Sequence, residues 1–453
     1  MKSYEMDMCS GPLFKKIVRF LVPLILSGVL QLMFNAADMI VVGQFTGSKA
    51  LAAVGATTFL INLQVNLFIG ISIGANVAAA KSFGAKNDKD LTETVHTAVL
   101  MAIVIGVLMI FIGNLVAEPV LRLMGTPDDV IGDAVLYIRI YFCGMPALML
   151  YNFGAAILRA VGDTKRPLYF LTLAGVINVI FNLFFVIVFD MGVAGVAIAT
   201  VISQAISAIL VLYCLCRSEG TYRLYFRRLH IYPDKFFSIL KVGLSAGFQS
   251  FLFNIANIMV QSSVNSFGSL VMAGNTAANN IEGFVYVTIS STSQTSISFI
   301  SQNMGAKQYK RVKRIFWECV GITTVVAGGL GVSAYLFAPW LLRLYNQDPQ
   351  VITYGITRLS VVAMSYALNG IQDVMASSFR GMGSPLMPMV VSLTGICLIR
   401  ILWVLLVFPL FRTREVLYLA YPVSWGITII MNLICYQVIR KKRLDPYIAE
   451  AAR

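Results

Sequence analysis

Apolar residues gather in twelve stretches separated by short charged or turn-forming segments, at about 17–43, 51–80, 95–116, 131–158, 167–189, 192–215, 237–264, 272–300, 315–342, 353–379, 386–409 and 417–439. A helix of about 20 apolar residues crosses a bilayer, so the pattern predicts about twelve membrane-spanning helices. The longer ones are expected to tilt or to extend past the hydrocarbon.

The stretches repeat. Phe34-Asn35-Ala36-Ala37-Asp38-Met39-Ile40-Val41 returns as Phe253-Asn254-Ile255-Ala256-Asn257-Ile258-Met259-Val260, and Ser82-Phe83-Gly84-Ala85-Lys86 returns as Asn303-Met304-Gly305-Ala306-Lys307. Arg159-Ala160-Val161-Gly162 returns as Arg380-Gly381-Met382-Gly383. Six helices per half means that both copies enter the membrane in the same sense, as parallel repeats. The expected organisation is an N-terminal six-helix lobe at 13–216, a basic cytoplasmic linker at 217–241 and a C-terminal six-helix lobe at 237–440.

Composition and charge agree with a membrane solvent. The 453 residues are 58% hydrophobic and 12% charged, with mean hydropathy +0.78, against about 25% charged in soluble domains. The net charge of +14 is read as basic loops on the cytoplasmic face, not as a nucleic-acid footprint. Lys and Arg crowd the loops of one side, including Lys2, Lys15, Lys16, Lys86, Arg159, Arg217–Lys241, Lys307–Arg314 and Arg440–Arg453; the other side holds only Lys49, Arg122, Arg343, Arg358, Arg412 and Arg414. Both termini are therefore expected in the cytoplasm, and the first span is expected to be retained instead of cleaved as a signal. The seven cysteines have no metal or disulfide spacing and are expected to pack as small hydrophobes. With two histidines and no zincin, nucleophile-elbow or Walker pattern, enzyme chemistry is not expected. His96 and His230 fall at helix edges and are expected to be solvated.

Asp38 lies in the otherwise uncharged run from Phe20 to Gln44. A carboxylate at membrane depth is expensive and marks a functional site by default. Asn178 and Asn182 are one turn apart on the predicted fifth helix, and Thr200 lies on the sixth. Counting ~1.5 Å per residue, all four fall in the outer half of the membrane, roughly 6–16 Å below the external helix ends. A carboxylate, two amide oxygens and a hydroxyl suit a hard monovalent cation; equally, Asp38 alone takes up a proton.

Several segments carry a resemblance over nearly the whole chain: Pro23-Leu24-Ile25-Leu26-Ser27-Gly28, Asp38-Met39-Ile40-Val41-Val42-Gly43, Leu51-Ala52-Ala53-Val54-Gly55 and Leu158-Arg159-Ala160-Val161-Gly162-Asp163-Thr164. In this order and with the duplication, the chain resembles the multidrug and toxic compound extrusion (MATE) transporters, in the bacterial branch whose key carboxylate lies in the first helix and whose seventh helix lacks acids. The resemblance implies an all-α polytopic membrane protein with two six-helix bundles around a central cleft. It implies proton- or sodium-coupled antiport exporting small organic cations, with no cofactor beyond a bound Na+ or proton. It also implies a cation site at Asp38, Asn178, Asn182 and Thr200; some members have an acid where Asn182 stands, so this site has one carboxylate fewer. The alternative is a flippase of related architecture for lipid-linked oligosaccharides. A monomer is expected.

The positions expected to line a substrate cleft are Asn35, Met39, Asn254, Asn257, Glu282 and Tyr286, with Glu282 meeting the substrate cation. Met145, Met149, Phe153, Met259 and Met364 are further candidates for adaptable walls. Asp373 is expected to form a structural ion pair with Arg380, and Arg400 to serve as a buried partner for an acid or a carbonyl. Pro23, Pro119 and Pro146 are expected to bend their helices.

Overall fold

A computed structural model describes residues 4–450, apart from the side chains of Ser48, Leu51, Phe59, Asn62, Leu63 and Gln64. Lys2 and Arg453 of the basic set, and the Leu51 side chain, lie outside the described residues. All regular structure among those residues is helical. In chain order the long helices are α1 (Leu13–Phe45), α2 (Ser48–Gly84), α3 (Asp88–Leu123), α4 (Asp128–Cys143), α5 (Met145–Ala160), α6 (Lys165–Val188), α7 (Gly192–Cys216), α8 (Pro233–Asn265), α9 (Ser269–Gly305), α10 (Tyr309–Leu336), α11 (Pro349–Gly381), α12 (Leu386–Phe411) and α13 (Arg414–Glu450).

Ten of these helices are long and apolar enough to cross a membrane, and α4 with α5 makes an eleventh span bent by 46°. The bend falls within the span expected over 131–158, at the proline expected to bend it. Pro146 lacks the N–H that would continue the ladder, and its ring crowds the preceding turn. Gly106 of α3 makes room for the bend, since a Cβ there would collide with the Pro146 backbone. The remaining helix, α9, spans 37 residues but carries a run of buried Ser, Thr and Asn. It is long enough for a twelfth span, and its polar face is buried inside the protein, with Thr288, Thr292 and Thr295 donating to carbonyls of their own helix. By contrast, α1 runs without a break through Pro23, as α3 does through Pro119.

The duplication is written in the backbone. Positive φ occurs at Gly47 and Gly268 (89° and 97°), at Lys86 and Lys307 (52° and 57°) and at Gly162 and Gly383 (94° and 82°), each pair 221 positions apart. After α2, Asn87 N–H donates to Ser82 O (3.1 Å) and Lys86 N–H to Phe83 O (3.1 Å); after α9, Gln308 N–H donates to Asn303 O (2.9 Å) and Lys307 N–H to Met304 O (3.3 Å). Both are Schellman stops. The left-handed position holds lysine in each copy, although a side chain there costs roughly 1–2 kcal/mol.

The chain forms two compact units. The first comprises the residues up to Asp7 together with Val22–Gly247; the second comprises Met8–Leu21 and the chain from Phe248 on. Thus the start of α1 belongs to the second unit and the start of α8 to the first. In the first unit, Gly70 and Gly74 of α2 cross Gly243 and Gly247 of α8 so closely that a Cβ at any of the four would strike opposing backbone. Small residues permit this approach where lipid offers no hydrophobic drive. His96 is buried here, not solvated: Nδ1 donates to Thr92 O (2.7 Å), Nε2 accepts from Tyr225 N–H (3.2 Å), and its ring stacks on Tyr225. It fastens the linker to α3. In the second unit, Arg311 donates to the carbonyls of Met8 (3.2 Å), Ser10 (2.8 Å) and Gly11 (3.0 Å), and Phe20 meets Phe299 edge-on at 5.4 Å.

Met145, Met149 and Phe153, expected as adaptable walls, are fully buried in the core of the first unit. Met39, Tyr286 and Met364 are exposed. Gly243→Leu is expected to force α2 and α8 apart at a cost of about 1–3 kcal/mol, read as a lower melting temperature of the purified protein in detergent. Gly283→Ala, where an added methyl meets nothing within 4 Å, should leave that temperature unchanged.

Candidate functional site

Three helices of the first unit build the site. A tight turn through Asp190 (φ 50°) and Gly192 (φ 54°) lays α7 back along α6. Gly175 of α6 admits the ring of Phe34, which a Cβ there would strike, so α1 comes close against α6. Immediately after Asn182, α6 changes to a π turn over Phe184–Val188. Such turns re-aim side chains and often accompany functional sites.

The four residues expected from sequence are joined by hydrogen bonds. Asn182 Nδ2 donates to Asp38 Oδ1 and to Asn178 Oδ1 (3.4 Å). Asn178 Nδ2 donates to Thr200 Oγ1 (3.5 Å), whose hydroxyl donates to Val196 O (3.0 Å). Asn178 and Asn182 are buried, while Asp38 and Thr200 are half-buried. Asn182 Oδ1 is buried with no donor among the described residues. An unanswered acceptor on the amide that grips the carboxylate leaves the cluster short of one hydrogen-bond donor. Carboxylate, amide and hydroxyl oxygens are the ligands of hard cations, so the donor set fits Na+, and a proton on Asp38 fits as well. Two tyrosines of α4, Tyr137 and Tyr141, lie within electrostatic reach of Asp38, their rings stacked 6.3 Å apart. Residue spacing carried no signal for them, because they approach from a different helix.

The cleft candidates differ in their local surroundings. On α1, Asn35 and Met39 are exposed beside Asp38. On α8, Asn254 donates to Ser250 O of its own helix (2.9 Å), and Asn257 accepts from Arg400 Nη1 at 2.6 Å. Tyr286 is 46% exposed.

Glu282 is not free to meet a substrate cation. It is 1% exposed and gripped by Arg358 through Nε–Oε1 at 2.9 Å and Nη2–Oε2 at 2.8 Å, with Tyr366 Oη donating to Oε2 at 3.3 Å. Arg358 also donates to Asn275 Oδ1 (2.7 Å) and Asn279 Oδ1 (3.3 Å). Counting Arg358 among outer-loop charges hid this partner, 76 positions away in sequence. The expected Asp373–Arg380 pair is also not formed. Seven residues along one helix is about 10.5 Å, too far for direct contact. Asp373 accepts instead from Ser293 Oγ (2.6 Å), and Arg380 donates to Gln249 Oε1.

Two stretches, 23–184 and 246–406, each match the MatE family profile, one in each repeat. The chain is 30% identical over 439 residues to the probable multidrug resistance protein YoeA of Bacillus subtilis (strain 168), covering 94% of this chain and 93% of that protein. It is 23% identical over 444 residues to the FAD transporter of Shewanella oneidensis, covering 95% of each. A solved outward-facing structure of a multidrug resistance MATE family transporter of the MOP superfamily superposes with TM-score 0.88 at 20% identity, over 96% of this chain and 98% of that one. At that identity the likeness concerns the fold.

Removing one partner of the Glu282–Arg358 pair strands a buried charge. Glu282→Gln is expected to cost about 3–5 kcal/mol, measured by thermal unfolding in detergent. The double variant Glu282→Met with Arg358→Met should recover most of that loss.

Proposed function

The chain belongs to the MatE family, whose members are membrane transporters and not enzymes, and from that premise we propose that it exports hydrophobic organic cations by antiport against protons or sodium ions. Support for ion coupling comes from one observation above the others: the buried, unanswered Asn182 Oδ1 on the amide that holds Asp38. Either coupling ion answers it. A protonated Asp38 becomes a donor as well as an acceptor. A sodium ion accepts electron pairs from both groups. In each case the net charge of the cluster rises by one unit, from −1 to 0, and the contact between α1 and α6 changes its partners.

An organic cation bound near an ionised Asp38 is stabilised by that charge; the entering ion removes the attraction. The coupling is reciprocal, so each ligand weakens the other by the same factor. Thr200 and Asn178 hold Asn182 in register and bring oxygen ligands of their own. The cargo assignment to organic cations rests on the acidity of this cluster, since the curated relatives include one named for multidrug resistance and one named for FAD. The basic loops place both termini in the cytoplasm in this proposal, and the chain acts as a monomer.

Purified protein in proteoliposomes, given a sodium or a proton gradient separately, tests both class and coupling. Uphill movement of a fluorescent organic cation is expected under one gradient. Asp38→Asn should reduce it at least tenfold, a loss of about 1.4 kcal/mol or more in coupling, with an unchanged melting temperature. Undiminished uphill transport by that variant would refute ion coupling at Asp38. Asn182→Leu should weaken coupling while leaving downhill exchange measurable.

A further inference from the structure

We infer that the second unit contains a buried anion-binding site centred on the guanidinium of Arg400. Arg400 lies within α12 and is 0% exposed. Its Nε donates to Ser424 Oγ (3.1 Å) and its Nη1 to Asn257 Oδ1 (2.6 Å). Nη2 is buried and has no acceptor among the described residues. Nor does any Asp or Glu oxygen of those residues form an ion pair with Arg400; the nearby Arg358 is already matched with Glu282. Of the acid or carbonyl partner expected from sequence, Arg400 has the amide carbonyl oxygen of Asn257, the position that repeats Asp38, and no acid among the described residues.

A second orphan donor borders the same place. Trp425, 2% exposed, has its indole Nε1–H unpartnered. Its ring centroid is 5.7 Å from Arg400 Cζ; Tyr421 is 4.4 Å and Phe253 5.0 Å from it. Buried donors without acceptors are rare in native structures. Arginine has no neutral form available at working pH. Faces of three aromatic rings offset part of a buried charge, but they accept neither N–H. Water would accept the hydrogen bonds without supplying charge. A compact anion does both.

The winding of α12 points to the same spot. It adopts π turns at Leu393–Leu398 and at Trp403–Val407, leaving Arg400 in a single α turn between them. The first unit has its π turn directly after Asn182. The two units are also opposite in polarity at matching places. Asn182 donates to Asp38 in one, and Arg400 donates to Asn257, the repeat of Asp38, in the other. A hydroxyl on the last helix of each half, Thr200 or Ser424, completes each cluster. One cluster is short of a positive charge and the other of a negative one.

The ligand is a single compact negative charge, of the size of chloride or a carboxylate. It arrives either as a free ion or as part of a transported molecule. Entry requires α12 and α13 to part, since Arg400 is sealed from solvent.

Thermal stability of the full chain in detergent, measured at constant ionic strength while chloride replaces gluconate, tests the site without relying on transport. Saturable stabilisation of the native protein is expected. Trp425→Phe should weaken the chloride midpoint about tenfold, as loss of one hydrogen bond to a charged group implies. Arg400→Met should abolish the response and, in gluconate, melt no lower than the native protein. A second arm compares an amphipathic ammonium carboxylate with its methyl ester. Protection by chloride identifies a free anion, and protection by the carboxylate but not its ester assigns the anion to the cargo; either supports the site. No response to chloride or carboxylate, or equal responses in native protein and both variants, overturns it. Failure of ion-coupled export with a positive anion response would leave the site standing, so the two proposals fail separately.

Discussion

The hydrogen bond from Asn182 to Asp38 is the constraint around which the first unit is arranged. A carboxylate at membrane depth is tolerated only when donors replace the water it has lost. Here a single amide does so, and it reaches Asp38 because α1 lies against α6 where Gly175 admits Phe34. That amide is itself held by Asn178, and Asn178 holds Thr200, so three helices share one polar thread. The thread ends in an unanswered oxygen. A fully satisfied network would be rigid; this one ends in an acceptor without a donor among the described residues.

Duplication supplies the frame, and divergence within the copies supplies chemistry. Glycine turns and Schellman stops recur 221 positions apart with nearly equal angles, which is backbone geometry inherited unchanged. Side chains on that frame have drifted in opposite directions. The first copy retains an acid. The second has an amide at the matching position with Arg400 beside it, together with the self-contained Glu282–Arg358 pair. Charges buried in the second unit therefore fall into two kinds. Arg358 is matched in a bidentate pair, as structural charges are. Arg400 is ringed by aromatics and left without a counterion.

Helical periodicity made part of the site legible. Asn178 and Asn182 share a face because they are four apart, and Asp38 announced itself by standing alone among apolar residues. Depth along each helix could be counted, so convergence of the four was foreseeable. The partners of Glu282, Asp373 and Arg400 were not, because each contact joins helices brought together only by packing. The expected Asp373–Arg380 pair gave way to Ser293 for the acid and Gln249 for the guanidinium, both on neighbouring helices. Burial of Met149 and Phe153 was equally hidden, since an apolar residue in a membrane helix faces lipid or core with the same chemistry.

The amino-acid order alone determined the helical class, the approximate spans, the parallel repeat and the presence of acids within the spans, Asp38 among them. These follow from local hydropathy, turn chemistry and self-similarity, which need no knowledge of neighbours. Tertiary structure alone decided that α1 and α8 each begin in the opposite unit, and which buried charges are matched. A charge's meaning depends on what lies within about 4 Å of it, and in a bundle of helices that neighbourhood is drawn from residues scores to hundreds of positions apart.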